Sequence, residues 1–205
     1  KKPIPAAERD RLSKALVAAL AAVPAPAKPF AFLEGESSKE IAGAAEWDTA
    51  AKRWVAPGAG SAERIYEVAG SEAERADTVP LEVRVWVNRG ASLPEALQSV
   101  GGEPKIFPLP DAPAIETSMI VLPADSRVMP QSAAQIANAL TVMRIYVGPD
   151  VLGKFLRDAL EKQSKDAWVP PPGGKPGDAR WIVVELYGGK RAVEELAARV
   201  PISKL

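Results

Sequence analysis

The chain of 205 residues contains no histidine and no cysteine, and its 26 basic and 26 acidic residues balance. The missing residue types exclude Ser-His-Asp and Cys-His catalysis, His- or Cys-ligated zinc, disulfides and iron–sulfur clusters. Because the charges balance, the chain lacks the excess of basic residues that binds the phosphates of nucleic acid. An apolar fraction of 47% with 25% charged residues is typical of a soluble globular protein. We therefore expect one domain over residues 1–205, with no cofactor and no metal site.

The first predicted element is an amphipathic helix over Ala6–Ala22. Leu12, Leu16 and Leu20 recur every four residues and share one helical face. Residues 1–27 also imitate a signal peptide, but acidic residues in the would-be basic region favour the helix. No apolar run approaches the roughly 20 residues of a transmembrane span. We expect an exported bacterial protein, periplasmic or secreted, that has already lost its signal; a cytoplasmic location is the alternative.

The next segment is interpreted as a loop, a helix and a hairpin. Residues 24–36 form the loop, and Ser37-Ser38-Lys39-Glu40 fits a capping box that begins a helix ending near residue 48. Lys52–Ala56 and Glu63–Val68 are predicted strands on either side of a glycine-rich turn.

Leu81–Asn88 is the clearest strand in the chain. Its apolar side chains alternate with polar ones, which predicts one buried face and one face that is polar apart from Trp86. Arg84 and Trp86 are therefore candidates for contact with a ligand or a partner. For Trp86 the alternative, burial beneath a second layer, is the favoured interpretation.

Helices and strands alternate in the rest of the chain. The predicted helices are Ser92–Val100, Gln131–Ala139, Pro149–Gln163 and Lys190–Arg199, and the predicted strands are Ile115–Leu122, Leu140–Val147 and Trp181–Tyr187. This alternation favours some parallel pairing, and the hairpin favours antiparallel pairing. We predict an α+β fold with a mixed sheet of five or six strands and helices packed mainly on one face.

Two turn-rich segments supply further candidate binding residues. Gly188-Gly189-Lys190-Arg191 lies at a predicted strand-to-helix junction, where backbone amides and two bases would attract an anion. A tight turn followed by surface bases is the alternative. Pro171 and Pro172 belong to a polyproline run in the loop Pro170–Arg180, which could dock in an aromatic groove of a partner. A plain linker is the alternative.

A short internal echo is also present. The tripeptide Arg-Ile-Tyr occurs at 64–66 and again at 144–146. It suggests a weak internal duplication, roughly of residues 1–125 and 126–205.

Carboxylates are the remaining conventional acid–base groups. Glu82, Glu116 and Glu185 lie on or beside predicted strands, and two carboxylates about 5–10 Å apart would support glycoside hydrolysis. Because no catalytic motif occurs, the leading hypothesis is a non-catalytic protein that binds a partner protein or a small ligand through its sheet face and Pro-rich loops. A carboxylate-dependent hydrolase acting on carbohydrate and a structural subunit of a larger assembly are the alternatives. The oligomeric state is left open.

Overall fold

The computed structural model describes residues 2–3, 5–42, 44–48, 53–55, 59–68, 80–88, 104–107, 109, 112, 114–119, 140–149, 154, 158, 162 and 178–205. The elements within these ranges are, in chain order, β1 (Lys2–Pro3), α1 (Ala6–Ala22), β2 (Phe30–Ala42), β3 (Ala44–Asp48), β4 (Arg53–Val55), β5 (Ala59–Val68), β6 (Leu81–Val87), β7 (Pro104–Phe107), β8 (Ala114–Met119), β9 (Leu140–Val147), β10 (Ile182–Gly189), α2 (Lys190–Ala197) and a 3₁₀ helix (Ile202–Lys204).

The strands form two sheets. Seven strands lie in the order β2-β5-β6-β10-β9-β8-β7, and β1, β3 and β4 form a separate three-stranded sheet. Every neighbouring pair among these strands is antiparallel. Strands β2, β5, β6, β10 and β9 form a contiguous five-stranded body, and β8 and β7 extend it.

The α+β class is confirmed, but the parallel component of the expected mixed sheet is absent from the described strands. Alternation of helices with strands along the chain does not set strand direction. Direction depends on whether each connection crosses the sheet or returns to the end it left.

Both helices pack on the same face of the large sheet, which we call the helix face. α1 contacts β5 and β6, and α2 contacts β9 and β10. Leu12 and Leu16 of α1 are fully buried, as is Val193 of α2. They join one apolar core with alternate residues of the central strands, namely Leu81, Val83, Val85, Val87, Met143, Ile145, Ile182, Val184 and Leu186. The predicted leucine stripe and the packing of helices on one face are both confirmed.

The chain from Phe30 to Asp48 differs from its prediction, because β2 and β3 replace the expected loop and helix. A capping box is a local signal worth about 1 kcal/mol. Over the same residues, β2 pairs with β5 from Ser37 to Ala42, and this long cross-strand ladder outweighs the local signal. The predicted hairpin is also wrong in its pairing. β4 pairs with β3, whereas β5 pairs with β2 and β6.

Other predicted elements lie close to their expected bounds. α1 and β9 have the predicted limits, β6 ends one residue earlier, and β10 and α2 differ by no more than two residues at either end. β7 was missed inside a proline-rich segment. The predicted helices at 92–100 and 131–139 lie outside the described residues. Of the helix predicted over Pro149–Gln163, Lys154 and Asp158 are described and helical, and the N–H of Lys162 donates to the carbonyl of Asp158 at 3.1 Å.

Asn88 joins the end of β6 to the chain that enters β10. Its φ of 58° is left-handed, and its N–H donates to the carbonyl of Trp181 at 3.0 Å. Its side-chain amide donates to the carbonyl of Asp178 at 2.9 Å, and its Oδ1 accepts from the N–H of Arg180 at 2.8 Å. Residues 178–181 are thereby fixed beside the end of β6.

The repeated tripeptide presents opposite faces in its two copies. Arg64 lies opposite Val83, on the helix face, whereas Arg144 lies opposite Glu185, on the other face. Because side chains alternate along a strand, the two copies are out of phase by one residue. The repeated tripeptide therefore does not support an internal duplication, which stays a prediction.

Candidate functional site

The face opposite the helices carries a line of charged side chains across four strands. One member lies on each of β5, β6, β10 and β9, and each is a direct cross-strand neighbour of the next. Such neighbours have Cβ atoms about 4.5–5.5 Å apart, close enough to form ion pairs. Acids and bases alternate along this line, which we call the charged row: Glu63, Arg84, Glu185 and Arg144. We call the face that bears it the charged face.

The charged row is joined by hydrogen bonds along its whole length. Nε and Nη2 of Arg84 lie 2.9 and 2.8 Å from Oε2 of Glu63. Nη1 of Arg84 lies 3.5 Å from Oε1 of Glu185. On the other side, Nε and Nη2 of Arg144 lie 2.7 and 2.6 Å from Oε2 of Glu185. Glu185 therefore holds a guanidinium on each side, which compensates the desolvation of a buried carboxylate.

Two further rows flank the charged row. One consists of Ser61, Trp86, Val183 and Tyr146, and the other of Ile65, Glu82, Tyr187 and Val142. Val183 and Tyr146 are almost completely buried, as is Arg144. Side chains nearer β6 are more exposed, at 36% for both Arg84 and Glu82. The charged face is thus covered over β9 and half-exposed over β6.

Arg144 also lies against Trp86. Its Cζ atom is 5.3 Å from the centroid of the indole ring, within the range of a cation–π interaction. The guanidinium therefore links the charged row to the aromatic side chain of the neighbouring row. Trp86 is consequently a fixed part of the charged face.

Glu82 is the least well compensated acid of this group. Its carboxylate lies 3.9 Å from Nη2 of Arg84, much farther than the carboxylate of Glu63. Burial raises the pKa of Glu82 above its usual value, Arg84 lowers it, and the charges of Glu63 and Glu185 raise it further. The ionised form of Glu82 is therefore held less favourably than in water.

Arg84 and Tyr187 each carry one charge state throughout the neutral range. Burial by itself lowers the pKa of Arg84, but the hydrogen bond that Arg84 donates to Glu63 and the charges of Glu185, Glu63 and Glu82 raise it overall. Burial, and then the charge of Glu82, raises the pKa of the Tyr187 phenol. Arg84 is thus cationic and Tyr187 neutral.

The sequence-predicted residues Gly188, Gly189, Lys190 and Arg191 lie at the junction of β10 and α2. Gly188 and Gly189 belong to β10, and α2 begins directly at Lys190. Lys190 lies 3.4 Å from Glu194, and Arg191 lies 2.7 Å from Glu195, both as i,i+4 pairs along the helix. The two bases are therefore engaged within α2.

Gly188 has a packing role. A Cβ atom there would lie 2.9 Å from Cδ1 of Leu81 and 3.2 Å from the carbonyl oxygen of Pro80. The absence of a side chain lets β10 approach the start of β6.

The remaining predicted candidates are Pro171, Pro172 and Glu116. Pro171 and Pro172 are outside the described residues. Glu116 is in register with Met143, which belongs to the helix-face core. It therefore does not share a row with Glu82 or Glu185.

Arg84 and Trp86 were found from the sequence because they lie on the polar face of one clear strand. Glu82 and Glu185 were identified as carboxylates on strands, but their neighbours were not. Glu63, Arg144 and Tyr187 were missed as site residues. Alternation gave little signal for them, because Val142 and Tyr146 lie on the same side of β9 as Arg144, and Val183 lies on the same side of β10 as Tyr187. Only the pairing of strands brings these positions together.

No group of three ligating acids converges as a metal site in the part of the chain that is described. No helix there is long and apolar enough to cross a lipid bilayer. Comparison of the chain with protein-family models, with curated proteins and with solved structures gave no match. The geometry of the charged face is therefore the basis for assigning a function.

Proposed function

We propose that the protein is a non-catalytic, exported bacterial binding protein, periplasmic or secreted. It holds a small ligand or a partner protein on the charged face, at the half-exposed end over β6. One observation carries the proposal: the guanidinium of Arg84 lies among three carboxylates, on the same face as Trp86 and Tyr187, and is still partly open to solvent.

The charged face suits binding because its polar groups are already oriented. Each charge lies on a paired strand and is held by its neighbours, so little side-chain entropy would be lost on contact with a ligand. Arginine and aromatic side chains are also the types that carry most binding energy at protein surfaces. Partial burial strengthens their electrostatic interactions relative to those in water.

The attachment of residues 178–181 supports the same location. These residues include the end of the loop Pro170–Arg180, which the sequence predicts to take part in binding. Asn88 fixes them beside the end of β6, two residues from Trp86. A contact that uses both the charged face and this segment is therefore compatible with the fold.

The groups on the charged face favour binding over catalysis. Both oxygens of the Glu185 carboxylate already accept hydrogen bonds from guanidiniums, so neither is free to contact a substrate. Arginine does not give up its proton in proteins. The chain also has no histidine or cysteine to serve in their place.

A ligand screen followed by mapping tests this proposal. A thermal-shift library of sugars, amines, nucleotides and short peptides identifies ligands for the full chain, and heteronuclear NMR locates them. We expect shifts at the Trp86 indole N–H and at the amides of residues 82–86 and 185–187. Trp86→Phe should weaken binding about tenfold, or about 1.4 kcal/mol, and Val17→Ala on the exposed side of α1 should not. Ligands that map to the helix surface instead, or that are turned over, would contradict the proposal.

A second candidate, a carboxylate-dependent hydrolase acting on carbohydrate, is favoured by one observation. Glu63, Glu82 and Glu185 share a face with Trp86, and burial raises the pKa of Glu82, as expected of a general acid. Chromogenic glycosides test it. Hydrolysis lost in Glu82→Gln but kept in Glu195→Gln would favour the hydrolase, and no hydrolysis by the unmodified chain would remove it.

A further inference from the structure

We infer that Glu82 and Tyr187 form a subsite for an organic cation, an ammonium or guanidinium group carried by the ligand. This inference rests on the proposed function and names the chemistry of the group that the charged face accepts. The two residues are direct cross-strand neighbours on β6 and β10. They lie beside the charged row, at its half-exposed side.

Arg84 compensates the charge of Glu82 only in part, because its guanidinium lies closer to two other carboxylates. Arg84 serves three carboxylates, and its contacts with Glu63 and Glu185 are 2.8 and 3.5 Å long. Its contact with Glu82 is 3.9 Å, the longest of the three. A second cation beside Glu82 would offset both the burial of this carboxylate and its repulsion by the two neighbouring acids.

Tyr187 supplies a matching second contact. Its neutral hydroxyl can accept a hydrogen bond from an ammonium or guanidinium N–H, and its ring face attracts cations. Burial, and then the charge of Glu82, raises the pKa of Tyr187; the second cause reflects the negative field of the neighbouring carboxylate at the phenol. The same field attracts a positively charged group.

The geometry selects an organic cation over the other charged ligands. An anion would approach Arg84, but each of its three guanidinium nitrogens already contacts a carboxylate. A divalent metal would require converging acids, and no such group occurs among the residues that the structure describes. An ammonium or guanidinium group needs only one carboxylate and one hydroxyl or aromatic face.

Titration of the isotope-labelled full chain with matched probes tests the subsite. The cationic probes are n-butylammonium, butylguanidinium and acetyl-Gly-Lys-Gly-amide, and the uncharged controls are n-butanol and acetyl-Gly-norleucine-Gly-amide. We expect saturable shifts of the Glu82 and Tyr187 amides with the cations, and none with the controls. A tenfold or greater preference for the lysine peptide over n-butylammonium would identify the cation as a protein side chain. Equal affinities would identify it as a small amine.

Three variants sharpen the titration. Glu82→Gln should weaken cation binding at least about tenfold because it removes the charge and keeps the shape. Tyr187→Phe should weaken it a few-fold because the ring remains. Glu195→Gln, an exposed acid on α2, is the matched control and should bind as the unmodified chain does. The unmodified chain gives an independent readout, since its affinity should fall as pH drops through the pKa of Glu82.

Two results would overturn the inference: unchanged affinity in Glu82→Gln, or equal binding of the uncharged probes. If the cations fail while a ligand from the screen still shifts the Trp86 indole, the subsite is wrong and the proposed function stands. If no ligand reaches the charged face at all, both are wrong.

Discussion

The helix face and the charged face are two sides of the same strands, but the first is apolar and the second carries ion pairs. On β6, Leu81, Val83, Val85 and Val87 enter the helix-face core, whereas Glu82 and Arg84 belong to the charged face. Apolar contacts on the helix face are non-directional and scale with buried area. Ion pairs on the charged face depend on position and on matched charge. The free energy of unfolding should therefore fall when side-chain volume is lost on the helix face, and when one member of an ion pair is lost on the charged face.

Loss of volume on the helix face should have the largest effect. Leu16 is fully buried against the sheet, whereas its neighbour Val17 is 53% exposed. Leu16→Ala should lower the free energy of unfolding by about 3–5 kcal/mol because it leaves a cavity. Val17→Ala should change it by less than about 0.5 kcal/mol. Chemical denaturation measures both, and similar losses in the two variants would contradict the assignment of the helix face.

Removal of one buried charge from the charged face should lower the free energy of unfolding by almost as much. Arg144→Met leaves the carboxylate of Glu185 with Arg84 alone, at 3.5 Å. We expect a loss of about 3 kcal/mol in the free energy of unfolding. The double variant Arg144→Met/Glu185→Leu removes both charges and should recover most of that loss. If the double variant is as unstable as the single one, charge matching is not what this face requires.

Substitution of Asn88, at the junction of β6 with the chain that enters β10, should lower stability by an intermediate amount. Asn88→Ala removes the side-chain hydrogen bonds to Asp178 and Arg180 and places an alanine at a φ of 58°, so about 2 kcal/mol of stability should be lost. Asn88→Gly relieves the backbone and should lose less. Thermal unfolding compares the two. Equal losses would show that the hydrogen bonds, rather than the left-handed backbone, account for the effect.

The smallest expected change in stability is a gain rather than a loss, and it depends on pH. The pKa of Glu82 is raised in the folded chain, so its ionisation destabilises the fold as pH rises from its unfolded pKa through its folded pKa. Glu82→Gln should therefore be slightly more stable at pH 7, by less than about 1 kcal/mol for this solvent-screened group. The difference should vanish near pH 3. A Glu82→Gln variant that is less stable at pH 7 would show that Glu82 is better compensated than its geometry indicates.

The sequence predicted best those elements whose signal is local and repeated. The leucine spacing of α1 and the strict alternation of β6 each occupy a whole element, and both were predicted almost to the residue. β2 was misassigned because the capping-box pattern of residues 37–40 competes with pairing to residues 61–64 of β5, which lie more than 20 positions later in the chain. Strand direction was misjudged because connections, rather than strands, determine it.

The candidate site was predicted only strand by strand. Alternation on β6 identified Arg84 and Trp86, and Glu185 was identified only as a carboxylate on a predicted strand. Their meeting with Glu63 and Arg144 depends on the register of three strand pairs. A slip of one residue in any pair would carry a member to the helix face, and no local pattern specifies that register.

The irregular pairing of β2 has a consequence for the behaviour of the protein in concentrated solution. β2 ends the seven-strand order. Between the pairs Phe32–Tyr66 and Ser37–Arg64, four residues of β2, 33–36, stand against the single residue Ile65. A long, regular outer strand is a template on which a second molecule can add its own strand, and a bulge spoils that template. The bulge thus divides β2 into two short segments that are poor nuclei for aggregation, and deletion of residues 33–35 should make the protein more prone to precipitate.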